Sequence, residues 1–268
     1  MSRPDILIVG GGVIGLMTAW RLAKRGAAVT VVDSGGPAST EAAAGMLAPS
    51  FERALEQGGE ALSALSRESL GLWRRVAGEI EDESAADIDF DEGGILSVSF
   101  SDAENAAFVE EANGGETLTR AEALALEPSL SEEIVAARFA RDDAQVNPTA
   151  VRRALGLALQ SRGGAMRRGA QANEILSDSG CAKGVRLSTG ETISAGAVIL
   201  ATGARVGGLA QLPDGAVFGK GRSGLACTNR WRAFARHSFA ARLSLSEKDR
   251  PRHHRRHRTS TRLVGDDG

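Results

Sequence analysis

Tyrosine is absent, and aromatic residues of every kind make up 4% of the 268 residues. Two cysteines, Cys181 and Cys227, are too few and too far apart for a disulfide framework or a zinc site, and both read as ordinary thiols. No apolar run approaches the roughly 20 residues of a membrane span, so the expectation is a soluble protein with no membrane partner. Residues Met1 to Pro4 run straight into a strand pattern without an apolar leader, which makes the cytoplasm the expected location. Histidine is missing until His237; the others are His253, His254 and His257. Charge is as uneven. Residues 219–268 hold thirteen Lys and Arg against four Asp and Glu, from totals of 32 and 34, so the net charge of −2 hides a basic end on an acidic remainder. The length is enough for one large domain or two small ones.

What is present is organised around residues 6–33. An apolar run (Ile6 to Val9) is followed by glycines, a helical pattern from Val13 to Lys24 closed by Gly26, a second apolar run (Val29 to Val32) and an acid, Asp33. Gly10, Gly12 and Gly15 satisfy Gly-x-Gly-x-x-Gly in the strand–turn–helix context that a dinucleotide-binding βαβ unit requires. Gly10 permits the tight turn, Gly12 leaves no Cβ between backbone and a pyrophosphate, and Gly15 lets the helix approach the strands. The first-turn N–H groups, at Val13 and Ile14, lie at the positive end of the helix and would receive that pyrophosphate. Asp33 is placed to accept hydrogen bonds from an adenosine ribose.

After a turn at Ser34 to Pro37, small residues dominate Ala38 to Pro49. By themselves they could form no more than an alanine-rich helical turn. Together with Gly10 to Gly15 and Asp33, however, the run Ala42 to Pro49 resembles the FAD-dependent D-amino-acid oxidase superfamily, and within it the glycine oxidases of thiamine biosynthesis. The resemblance argues for FAD over NAD and implies that Ser39, Thr40, Ala43, Ala44, Gly45, Met46 and Leu47 contact the cofactor. It also implies the fold: α/β, with a Rossmann-like FAD-binding domain and an inserted, incomplete antiparallel-sheet substrate domain.

Further along, residues 52–80 carry a helical pattern broken at Gly58-Gly59, and short strands are expected between Asp87 and Phe100. Helices are expected over Asp102–Ala112, up to Leu126, and over Thr149–Gln160, the last capped by Asn147 with Pro148 in its first turn. Ala165 to Ser194 reads as short strands with turns at Asp178-Ser179-Gly180 and Thr189-Gly190. By resemblance Ala172, near the start of this stretch, touches the adenine portion, although the family usually has valine there. Val198 to Ala204 reads as a buried strand ending in a small-residue turn, so Ala201, Thr202 and Gly203 complete the set of cofactor residues. The expected division is a first FAD-binding part at 1–85, a substrate-domain insertion at 86–140, a second FAD-binding part at 141–218 and a disordered basic tail at 219–268.

The motif-by-motif resemblance stops at Phe218. The family's substrate-binding tyrosine and arginine have no counterpart here, so no catalytic residue is assigned. The tail's arginines could form a nucleic-acid arm and its histidines a metal tract, but a solvated run is the plainer reading, and neither nucleic acid nor metal is expected. Codons for Leu243 to Gly268 read one base later permit a string resembling the missing substrate-domain motif, and the same shift at Gly219 to Arg222 permits the family's next segment. A single-base frameshift near Phe218 is the resulting expectation. The resemblance implies oxidation of glycine or a small amino acid, with O2 as final acceptor and hydrogen peroxide, ammonia and a 2-oxo acid as products, in a homo-oligomeric parent protein.

Overall fold

The computed structural model describes residues 3–36, 38–52, 59–102, 105, 115–205 and 209. Strand β1 (Ile6–Val9) is apolar throughout because it lies inside a parallel sheet covered on both faces. Helix α1 (Val13–Lys24) buries Leu16, Ala19, Trp20 and Ala23 along one stripe, and strand β2 (Val29–Asp33) returns parallel to β1. The βαβ unit is built over the expected residues. A short helix α2 (Ser39–Ala42) and strand β3 (Met46–Leu47) occupy the small-residue loop, followed by α3 (Pro49–Glu52) and the long α4 (Gly59–Ser84). The expected break at Gly58-Gly59 falls at the start of α4, with Gly58 itself outside the described residues.

Strands β4 (Ile95–Ser99), β5 (Glu116–Thr119) and β6 (Ala136–Ala140) form an antiparallel sheet in the order β4-β6-β5. Helix α5 (Arg120–Leu126) opens with a capping box in which Thr119 and Glu122 satisfy each other's N–H groups. Most of the expected helix Asp102–Ala112 lies outside the described residues; Asp102 and Asn105 are helical. Strand β7 (Ala144–Gln145) pairs antiparallel with β3. Helix α6 (Pro148–Ser161) has the expected cap, Asn147 Oδ1 accepting from Ala150 N–H at 3.2 Å.

Next come β8 (Ala165–Arg168), β9 (Ala172–Asp178), β10 (Cys181–Leu187), β11 (Thr192–Ser194) and β12 (Ala197–Leu200). The short strands and turns expected over Ala165 to Ser194 are present, and one correction to the sequence reading arises, at β12. The stretch Ala165 to Ser194 is divided between two sheets: β8 joins the parallel sheet β12-β1-β2-β8, whereas β9 to β11 form a separate antiparallel meander. Strand β12 is not buried. Among the described residues it is flanked by β1 alone, which leaves Ala197 exposed and Val198 to Leu200 half-buried.

Alternation along β1 and β2 places the core on both sides of the parallel sheet. Ile8 and Val31 pack with Trp20, Ile80, Leu155 and Leu159 of α1, α4 and α6, and Leu7, Val9 and Val32 pack with Val185 and Leu187 of the meander. The three helices are also pinned by a polar hub. Glu83 accepts hydrogen bonds from Trp20 Nε1 at 2.7 Å and from Nε and Nη2 along one edge of the Arg162 guanidinium, with Lys24 Nζ 3.5 Å away. The Arg162 fork, aided by Trp20 and Lys24, outweighs burial and lowers the Glu83 pKa to about 2.

Candidate nucleotide site

The carboxyl ends of β1, β2 and β12 come together at one edge of the parallel sheet, the place where open α/β sheets hold ligands. Gly10 N–H donates to Val32 O and Ala201 N–H to Val9 O, each at 2.8 Å, so the three strand ends are tied to one another. Gly10 needs its lack of a side chain twice. Its φ is +114°, and a Cβ there would lie 2.3 Å from Ala201 O. Gly15 is equally constrained, since its Cβ would fall 1.9 Å from Gly10 O.

Gly12 differs. It is the N-cap of α1 with an ordinary extended backbone, and among the described residues the one neighbour within 4 Å of a Cβ placed there is Thr40 Oγ1, at 3.3 Å. The space beside Gly12 is therefore an open cradle at the positive end of a 12-residue helix. Thr40 crosses to it from α2, its Oγ1 accepting from Val13 N–H at 3.0 Å. Beyond the other strand end, Thr202 Oγ1 is buried without a hydrogen-bond partner among the described residues. An opening at helix N–H groups and a buried hydroxyl with no partner among the described residues both fit a diphosphate-bearing ligand.

Asp33 ends β2 with its side chain 12% exposed. One oxygen accepts from Gly11 N–H at 2.7 Å; the other accepts from Gly35 N–H at 2.9 Å and from Arg152 Nη2 at 3.3 Å. A carboxylate has about four acceptor positions, so one is left for a ribose hydroxyl. Arg152 itself was missed by motif reading. It lies on α6, where the signal was a charge three residues before Leu155 and seven before Leu159, on the stripe that packs into the core. Its Nε donates to Gly11 O at 2.8 Å, and Nη1 pairs with Glu41 Oε1.

The other expected cofactor residues are distributed as follows. Ile14 is 70% exposed on the first turn of α1. Ser39 and Ala43 are exposed and Ala44 half-buried. Gly45 has φ +91° and sits so close to Val146 O that a Cβ would meet it at 2.0 Å, which delivers Met46 and Leu47 into β3 beside β7. Gly203 is exposed and opens a short 3₁₀ turn (Gly203–Arg205). The structure thus joins Gly10 to Gly15, Asp33, Thr40 and Ala201 to Thr202 by direct contacts. Ala172 stands apart: at the start of β9 its side chain is buried with Leu7, Val9 and Val32 in the core.

Residues 5–265 match the FAD dependent oxidoreductase family, DAO. The chain belongs to this family. The cofactor of that family is FAD, and the match continues past Phe218, where the motif-by-motif resemblance ends. Among its relatives, the bifunctional protein ThiO/ThiG of Trichormus variabilis is 36% identical over 218 residues, covering 80% of this chain and 33% of that protein. A glycine oxidase of Bacillus licheniformis is 37% identical over 157 residues, 57% of this chain and 42% of that one. The crystal structure of glycine oxidase from Geobacillus kaustophilus superposes with a TM-score of 0.71 at 30% identity, covering 78% of this chain and 58% of that one. The chain therefore spans between a third and about three-fifths of the length of these relatives. Membership agrees with the open cradle: the α/β sheet and its helix-end site are those of a Rossmann-like FAD-binding fold.

Proposed function

We propose that this chain binds FAD by its adenosine diphosphate half and that the protein is an amino-acid oxidase of the glycine oxidase kind. The observation that carries the reading is the empty volume beside Gly12, bounded by Thr40 and the start of α1, in a family whose cofactor is FAD. The first-turn N–H group at Ile14, that of Val13 once it leaves Thr40 Oγ1, and the hydroxyls of Thr40 and Thr202 would hold the diphosphate, Asp33 the adenosine ribose, and Ala43 to Leu47 would line the path toward the ring system. Bound FAD would supply the electron acceptor for oxidation of a small amine. For glycine the balance is glycine, O2 and water giving glyoxylate, ammonia and hydrogen peroxide. The names glycine oxidase and ThiO/ThiG among the relatives support glycine as substrate and a place in thiamine biosynthesis.

The proposed organisation follows the same lines: FAD-binding parts at 1–85 and 141–218, a substrate-domain portion at 86–140 around the β4-β6-β5 sheet, and residues 219–268 outside both. The protein is taken to be cytoplasmic and homo-oligomeric in its complete form, with no nucleic-acid partner. Purified chain incubated with FAD should turn yellow and, with glycine, sarcosine or D-alanine, release peroxide. A protein that stays colourless with excess FAD would overturn the whole reading.

A second reading is an FAD-binding protein without turnover, favoured by a sequence that holds no tyrosine to match the family's substrate-binding one. It predicts yellow protein and no peroxide with any of the three amines. The frameshift reading of residues 219–268 is tested in the gene: an uninterrupted frame through Gly219, with no insertion or deletion against near relatives, would end it.

A further inference from the structure

We propose that Arg152 is a positioning residue that compensates charge at the nucleotide site: it neutralises the two acids flanking the diphosphate cradle and ties three chain segments into binding geometry before the ligand arrives. Every edge of its guanidinium is engaged. Nε holds Gly11 O in the β1–α1 turn, Nη2 holds Asp33 at the end of β2, and Nη1 holds Glu41 on α2. The side chain is only 15% exposed. Neither the helix nor the core accounts for an arginine there. It sits in the amino-terminal half of α6, and neighbouring Val151, Ala154 and Leu155 are buried and apolar.

The acids explain it. Glu41 follows Thr40, whose hydroxyl caps α1 and borders the Gly12 cradle, and Asp33 grips Gly11 next to that cradle. A diphosphate would bring about two further negative charges into the same space. Without Arg152, two uncompensated carboxylates would oppose it at short range in a partly desolvated cleft, where charges are weakly screened. With Arg152 the cluster falls to a single net negative charge, and one Asp33 acceptor position stays open for a ribose hydroxyl. A merely structural ion pair would hold the loops together but would not alter the sign of Glu41's effect on an anionic ligand.

The inference rests on the proposed FAD reading, and the test separates the two. ADP, which carries only the adenosine diphosphate half, and FAD would be titrated calorimetrically into the full chain as wild type, R152Q, R152K, E41Q and E41Q/R152Q, with an apo melt of each. R152Q should weaken both ligands by about tenfold or more, as expected for losing hydrogen bonds to charged groups. R152K, which keeps the charge, should stay within about fivefold of wild type. E41Q should not tighten binding by itself but should recover at least about threefold in the R152Q background, and added salt should narrow the gap between R152Q and wild type. Equal ADP affinity in R152Q and wild type would overturn the proposal. So would a loss in R152K as large as that in R152Q, or an E41Q change that recovers nothing. Should R152Q fail to fold, R152K binding ADP more than about fivefold weaker than wild type would refute charge compensation, and R152K binding within about fivefold would sustain it. Wild type that binds neither ligand would remove the FAD reading together with the role of Arg152.

Discussion

The clearest separation of folding from ligand binding should come from substituting two glycines three residues apart. At Gly12 the backbone is ordinary, and an added Cβ meets only Thr40 Oγ1 at 3.3 Å, a side-chain atom that can move by a few tenths of an ångström. Gly12→Ala should therefore change the stability of the ligand-free chain by no more than about 1 kcal/mol, the loss of a favourable N-cap residue being offset by a stiffer unfolded chain. The same methyl group protrudes into the cradle. If the FAD diphosphate rests there, the dissociation constant should rise about 10- to 100-fold, or roughly 1.4–2.8 kcal/mol. At Gly15 the order reverses. The Cβ would sit 1.9 Å from Gly10 O, over 1 Å inside any real contact and against backbone, so α1 must move off the sheet. That overpacking should cost about 1–3 kcal/mol, a drop of several degrees in melting temperature for a chain of this size. Circular-dichroism melts of the apo chains and titration of FAD by its fluorescence would measure both effects. Gly12→Ala protein that melts far below wild type, or that binds FAD as tightly, would refute the cradle.

Three other outcomes are expected. Glu83 stays charged in the folded chain down to about pH 2 but in the unfolded chain only to about 4.5, so its contribution is complete above pH 4.5 and disappears as the pH falls toward 2. The gap is worth about 3 kcal/mol at most and nearer 1–2 kcal/mol once solvent screening of the half-exposed Arg162 is counted, and Glu83→Gln should flatten the acid limb of a urea-denaturation series between pH 5 and 2.5. Thr202→Val should leave apo stability unchanged or raise it by up to about 1 kcal/mol, because a buried hydroxyl with no partner among the described residues is removed, yet weaken FAD binding about fivefold; unaltered FAD affinity would exclude Thr202 from the site. Asn147→Ala should cost about 1 kcal/mol through loss of the α6 cap, read as a shift in denaturation midpoint with unchanged slope.

The local signals in the sequence were those with strong short-range physics. Glycine spacing, apolar runs and the Asn147-Pro148 cap located β1, α1, β2 and α6 within a residue or so, because each depends on its own neighbours. Pairing partners were not legible. Nothing in Ala165 to Arg168 distinguishes a strand that joins β2 in parallel from the first arm of a meander, and the exposure of β12 depends on which strand flanks it. The site shows the same limit. Gly10, Gly12 and Gly15 announce themselves by spacing, whereas Arg152 becomes meaningful only when α6 packs so that its guanidinium reaches Gly11, 141 residues earlier.

That span has a kinetic side. The segments around the cradle are joined by Thr40 to Val13 and by Arg152 to Gly11, and the neighbouring strand ends by Ala201 on Val9. Nascent or partly folded chains that have already formed the glycine turn still lack a nucleotide site, since the contacts that finish it are among the most sequence-distant in the molecule and carry the largest loop-closure cost. On the proposed reading, cofactor capture would be a late event that draws on the native state alone, and by mass action the nucleotide would deepen that state without guiding the route to it.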